Sequence, residues 1–208
     1  MRRGALRGAC GFGLGGALGN LLTGLVVGFY PQILLFDPQT PYYLIIVLTG
    51  LIISNAGAGA IGAWSLHMGR RATIGFGVAF GVVLSVALPI VVLALIGLQA
   101  VGTTPGPGLH FFTAIAVLGT AFGIVGAIGG AFVREPRGMI GVGFGGFAIG
   151  GLAGGLVIVA EFALTFSRVL SPSISGLYGA LLLGLTAPYV IGGAIFGNAL
   201  SRMNPRAN

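Results

Sequence analysis

Few residues in this chain can do chemistry, and their positions narrow what that chemistry can be. The 208 residues include three acids (Asp37, Glu135, Glu161), two histidines (His67, His110) and one cysteine, Cys10. Only Glu161 falls inside a long apolar run, where a carboxylate is a functional candidate by default because ionising it in lipid is costly. It stands 24 residues past Arg137, roughly 36 Å along a helix, which puts it near the far end of the run and away from its middle. Arg168 follows seven residues later on the same helical face, so an interfacial Glu161–Arg168 ion pair is expected, with a proton or cation site as the alternative. His67 and His110 mark opposite ends of apolar runs and cannot share one metal. Each is a candidate cofactor ligand for a pigment or haem, imidazole being a common axial ligand. A single cysteine excludes an internal disulfide and a thiolate cluster. No Ser/His/Asp or Cys/His set, no carboxylate pair at one depth and no metal-ligand spacing is present, so the chain reads as non-enzymatic.

Two motifs look like nucleotide loops. Gly11-Phe-Gly13-Leu-Gly-Gly16 and Gly141-Val-Gly143-Phe-Gly-Gly146 both match G-x-G-x-x-G. In a dinucleotide site that spacing follows a strand and opens a soluble helix of a βαβ unit. Here each match lies in an apolar run behind an Arg, so helix packing is the expected role. The same region holds a wider repeat, an Arg with Gly four and six residues later: Arg7, Gly11, Gly13; Arg71, Gly75, Gly77; Arg137, Gly141, Gly143. Gly-Ala-Ile recurs with it at Gly59, Gly126 and Gly193, 67 residues apart both times. Together they predict three tandem helical hairpins, about 1–68, 69–135 and 136–208, within a single transmembrane domain spanning 1–208.

The elements that must carry these residues are set by composition. Hydrophobic residues make up 56% of the chain and charged residues 6%, with a mean hydropathy of +1.06; soluble domains devote about a quarter of their residues to charge. The net charge of +7 invites a nucleic-acid reading, but its distribution argues against one. All ten basic residues are Arg, and nine (Arg2, Arg3, Arg7, Arg70, Arg71, Arg134, Arg137, Arg202, Arg206) fall at alternate ends of the apolar runs. The positive-inside rule produces that asymmetry. It places both termini in the cytoplasm, in what we expect to be a bacterial or archaeal inner membrane, with Arg7, Arg71 and Arg137 as anchors at the inner surface. No apolar region precedes Cys10, so a lipoprotein signal is not expected, and the first run is long enough to be retained as a span.

Spanning a core of about 30 Å takes roughly 20 apolar residues. Segments near 7–30, 42–66, 72–98, 109–133, 138–166 and 175–201 meet that length. The fold class predicted is therefore all-α: a polytopic bundle of six transmembrane helices built as three Gly-rich hairpins. A β-barrel would need alternating polarity, which these runs lack. Pro89 and Pro188 lie inside runs and should kink them. Gly-rich tandem hairpins resemble rotary proteolipid subunits in composition, but Leu95 and Pro31 stand where the other two carboxylates would be needed, and the family is not assigned.

The 41 glycines are the strongest remaining signal. Each costs about 1 kcal/mol against Ala in a water-exposed helix, so their number implies a compensating gain. Small residues four apart let helix backbones touch. Such lines are Gly11/Gly15/Gly19, Gly77/Gly81, Gly126/Gly130, Gly146/Gly150/Gly154 and Gly193/Gly197. Glycines concentrate toward the Arg-rich ends, predicting a tight inner half and a wider outer half. Asn20, Asn55, Asn198, Ser54 and Ser85 should hydrogen-bond between helices. The function read from these features is a structural or accessory subunit of a larger membrane complex, with lipids and other membrane subunits as partners and quinone or pigment as candidate contacts; no particular cofactor is assigned, and nucleic acid is not a partner. A small channel or carrier for an ion or solute is the alternative.

Overall fold

The computed structural model describes residues 2–29, 41–100, 108–133, 136–166 and 174–203. These form six α-helices: α1 (Arg2–Phe29), α2 (Pro41–Ser65), α3 (Gly69–Ala100), α4 (Gly108–Ala131), α5 (Pro136–Phe166) and α6 (Ile174–Met203). No strand occurs among the described residues. Each helix covers one of the apolar segments, extended by a few residues where Gly, Pro or Arg can occupy a helix end. Among the described residues, four helices contain stretches long and apolar enough to cross a membrane: Gly69–Leu88, Phe111–Ala131, Gly138–Ala160 and Leu183–Met203. Those stretches suggest an integral membrane protein.

Each helix packs against its neighbours in the chain, and α1 closes on α6, so the six form a ring. The outward surface is apolar. Ile74, Val78, Val82, Val86 and Ile90 stand exposed at four-residue spacing along α3, as do Leu14, Leu18 and Leu22 on α1 and Leu152 and Leu156 on α5. In water such a surface would be an aggregation liability, whereas in lipid it is the favourable face. Apolar lipid tails give the helices no hydrophobic reason to associate, so close van der Waals packing must hold the ring.

Glycine supplies that packing. A Cβ on Gly8 would meet the Gly193 carbonyl oxygen and one on Gly193 that of Gly8; Gly4 and Gly197 are related in the same reciprocal way. Gly126 and Gly143 repeat the arrangement between α4 and α5, and Gly154 and Gly184 between α5 and α6. At each pair the Cα–H takes the place of a side chain and points at the opposite carbonyl, a weak contact worth about 0.5–1 kcal/mol. The glycine lines each face one neighbour. Gly11, Gly15 and Gly19 meet Ser65, Ala58 and Ser54 of α2; Gly77 and Gly81 also meet α2, at Ala56; Gly130 meets Met139 of α5; Gly146 and Gly150 meet Ile195 and Pro188 of α6.

Pro188 lies within α6 and shows how the ring uses an imperfect helix. Lacking an N–H, it leaves the Gly184 carbonyl without its usual donor, and that oxygen faces Gly154 of α5. The freed acceptor is therefore turned toward a neighbouring backbone and away from lipid. Residue 89 likewise lies within the continuous helix α3. The wider outer half expected from glycine distribution falls largely outside the described side chains.

The reciprocal pairs yield a direct prediction. Gly126→Ala or Gly143→Ala should push α4 and α5 apart and destabilise the protein by about 1–3 kcal/mol, as overpacking does. Added methyl groups at Gly57 or Gly145 meet nothing within 4 Å, so Gly57→Ala and Gly145→Ala should be neutral or stabilising by up to about 1 kcal/mol. Thermal unfolding in detergent measures both; equal losses in the two sets would remove the role assigned to the pairs.

Candidate functional site

The axis of the ring is filled by aromatic side chains. Phe12 of α1, Phe76 and Phe80 of α3, Phe122 of α4, Phe147 of α5 and Tyr189 and Phe196 of α6 are all essentially fully buried. Their ring centroids lie 5.0 to 6.3 Å apart, mostly edge to face, the geometry the ring quadrupole favours. Glycine makes room for them as well: a Cβ on Gly62 would strike the Phe12 ring, one on Gly129 the Phe76 ring, one on Gly192 the Phe147 ring and one on Gly16 the Tyr189 ring. Helix α2 contributes no described aromatic to this core and presents small residues and Asn55 instead.

A polar layer lies against one side of the aromatic core, between α1, α2 and α6. The Tyr189 hydroxyl donates to Asn55 Oδ1 at 3.1 Å, while Asn55 Nδ2 donates to the Leu51 carbonyl at 2.9 Å. Asn20 Nδ2 donates to Thr186 Oγ1 at 3.1 Å. The two bonds are neighbours, because Gly19 of α1 backs onto the Ser54 carbonyl of α2. Asn20 is 13 residues along α1 from Arg7, about 20 Å at 1.5 Å per residue, far from the Arg-rich end of the helix. No buried side-chain polar atom lacks a partner among the described residues. Satisfaction matters here because an unpaired amide in hydrocarbon costs several kcal/mol. Ser85 bonds back to the Gly81 carbonyl of its own helix, as serines in apolar helices commonly do. Asn198 is half-buried near the basic end of α6, where its main-chain carbonyl accepts from Ser201 Oγ of the same helix.

Tyr189 was not legible as a partner from its own neighbourhood. The signal available was its offset: it lies four residues before Gly193, as Asn55 lies four before Gly59 and Phe122 four before Gly126.

The basic end carries exposed Arg3, Arg7, Arg70, Arg71 and Arg202. There α2 ends in a Schellman arrangement, with the His67 N–H on the Trp64 carbonyl at 2.9 Å and the Met68 N–H on the Ala63 carbonyl at 3.3 Å. His67 occupies the left-handed position that Gly normally takes, with φ 54°, and Gly69 follows at φ 76°. The imidazole is exposed. Between Trp64 and Ile74, around this turn, runs an open groove of about 670 Å³ that also includes His67, Arg70 and Thr73.

Other expected site residues are scattered. His110 lies in the first turn of α4, at the end of the bundle opposite His67; its side chain, like those of Arg137 and Glu161, lies outside the described set, and so does Arg168 altogether. Cys10 is an exposed free thiol on α1. No group of three His, Cys, Asp or Glu side chains that could hold a metal occurs among the described residues. The two G-x-G-x-x-G matches lie inside helices: Gly11 meets Ser65 of α2, Gly13 and Gly16 meet Val190 and Tyr189 of α6, and Gly141 meets nothing.

Comparison with models of known families, with characterised proteins and with solved structures returned no match for this chain.

Two substitutions probe the site. Tyr189→Phe removes one interhelical hydrogen bond and leaves Asn55 Oδ1 without its donor, a loss of about 1–2 kcal/mol; a thermal midpoint unchanged from wild type would show that the bond contributes nothing. His67→Gly relieves a left-handed side-chain conformation costing roughly 1–2 kcal/mol and should raise the midpoint, whereas His67→Val should lower it.

Proposed function

We propose that this chain is a non-enzymatic, six-span membrane protein built as three tandem hairpins, serving as a structural subunit within a larger membrane assembly. The observation that carries the reading is the filled axis: seven interlocked rings occupy the centre of the ring of helices, which suits a scaffold better than a conduit. The tandem arrangement is supported by three contacts. Gly59, Gly126 and Gly193 each back onto a backbone of the helix beyond their own hairpin, at Phe76, Gly143 and Gly8 respectively. The orientation that the Arg distribution favours puts the basic end in the cytoplasm.

Partner contact is supported by the few glycines the ring does not use. Gly57 on α2 and Gly141 and Gly145 on α5 face open space, so a helix from another subunit can approach there as closely as the helices approach one another. Solubilised gently from its own cells, the protein should migrate with larger species. The double variant Gly141→Leu/Gly145→Leu should keep its thermal stability and lose that association. Retention of the large species by the variant, or a monomer in the wild type, would count against the reading. Lipid, quinone or pigment contacts remain part of it, and absorbance of the purified protein tests for a pigment.

A small channel or carrier is the second reading, favoured by the deep Asn20–Thr186 and Tyr189–Asn55 pairs, since polar groups at that depth often line a solute path. Reconstituted protein should conduct no ion or small polar solute if the scaffold reading holds; a flux abolished by Asn55→Leu would replace it with the channel.

A further inference from the structure

We infer that the groove at the α2–α3 turn is a binding site for an anionic phospholipid of the leaflet at the basic end, with the phosphate held by Arg70 and His67 and one acyl chain lying along α3. The inference rests on the membrane embedding proposed above and adds the lipid class and the place.

Three features converge on this occupant. The groove's volume, about 670 Å³, falls within the range of sites that hold small ligands. Its polar donors are cationic or uncharged: Arg70 can make paired hydrogen bonds to phosphate oxygens, His67 adds an imidazole donor, and Arg71 is exposed in the same turn. No carboxylate lines it among the described residues, so the charge complements an anion. The site also opens at the start of α3, whose first N–H groups have no carbonyl partner within the helix and favour negative charge.

The walls decide between a lipid and a soluble anion. Trp64 is exposed at the groove and combines an apolar indole with one N–H donor, the property that places Trp at headgroup level. Below it Ile74 begins an exposed apolar track continued by Val78, Val82 and Val86. From Ile74 to Val86 the track rises 12 residue steps, about 18 Å at the helical rise, comparable with one leaflet's share of a core of about 30 Å. A free phosphate would use the cationic end and leave the track unexplained. An acyl chain attached to that phosphate uses both.

The chain has a single Trp, so its fluorescence reports on the groove alone. Delipidated protein is reconstituted with lipids brominated on the acyl chain, which quench Trp on contact, carrying either a phosphatidylglycerol or a phosphatidylcholine headgroup. Quenching should reach half its maximum at roughly tenfold lower mole fraction for the anionic lipid, because both headgroups offer the phosphodiester but only phosphatidylcholine adds a quaternary ammonium, which cancels the net charge that Arg70 and Arg71 attract. Arg70→Gln should remove that preference, His67→Gln should reduce it, and Arg202→Gln, at another exposed cation on the same end, should leave it intact. Circular dichroism checks that each variant keeps its helices. Equal quenching by both headgroups, or equal effects of Arg70→Gln and Arg202→Gln, overturns the site while leaving the embedding standing. Relief of quenching by millimolar glycerol phosphate assigns the groove to a soluble anion and overturns it too. Absence of quenching by either lipid overturns the site as well, whereas failure of the helical protein to float with the vesicles in a density gradient is the result that removes the embedding.

Discussion

The structure depends on backbones touching. In lipid the helices gain nothing by hiding apolar side chains from one another, so what holds a bundle must come from contact area and from weak polar contacts between main chains. Four reciprocal glycine pairs deliver both, on α1 with α6, α4 with α5 and α5 with α6. Everything else follows from that spacing. Helices this close leave little room at the pairs themselves, and bulk goes elsewhere: most of the exposed large side chains are Leu, Ile and Val, while seven rings pack at the axis with Leu84, Leu118, Val125 and Ile158 buried among the helices.

The rings could not pack at the axis without a second set of glycines. Gly16, Gly62, Gly129 and Gly192 make no main-chain pair; each is the recess for a ring from another helix. The remaining side of the core, where α2 brings Asn55, is completed by a hydrogen bond to Tyr189. A tyrosine there gives the same stacking surface as a phenylalanine, lying nearly parallel to Phe80 with centroids 5.0 Å apart, and adds a directional bond that fixes α2 against α6. Close packing alone is tolerant of small rotations; this bond is not.

Helix number and approximate limits were readable because 20-residue apolar runs bounded by Arg or Pro have one solution in lipid. The glycine lines were readable as contact surfaces for the same reason. Which neighbour each line meets was not, because helical periodicity fixes a face and says nothing about what lies opposite. The Arg-Gly-Gly triplet illustrates the limit. Its first glycine meets Ser65 of α2 in one copy, Phe132 in the second and open space in the third, so a shared motif does three jobs. The Gly-Ala-Ile glycines, by contrast, all meet a main-chain carbonyl oxygen of an adjacent helix. Residue type alone marks the histidine at the end of α2 as a candidate ligand; its backbone role, a left-handed residue closing a helix, has no sequence signature, since Gly is the usual residue there.

Closure of α1 on α6 has a consequence for biogenesis. A ribosome delivers α1 first and α6 last, and at 5–20 residues per second the interval is on the order of 10 s. Throughout it the α1 surface bearing Gly4 and Gly8 has no mate from its own chain, while the hairpins that follow can already join edge to edge. The nascent protein is thus an open arc with a sticky leading edge, and only the arrival of the last helix converts the arc into a closed object.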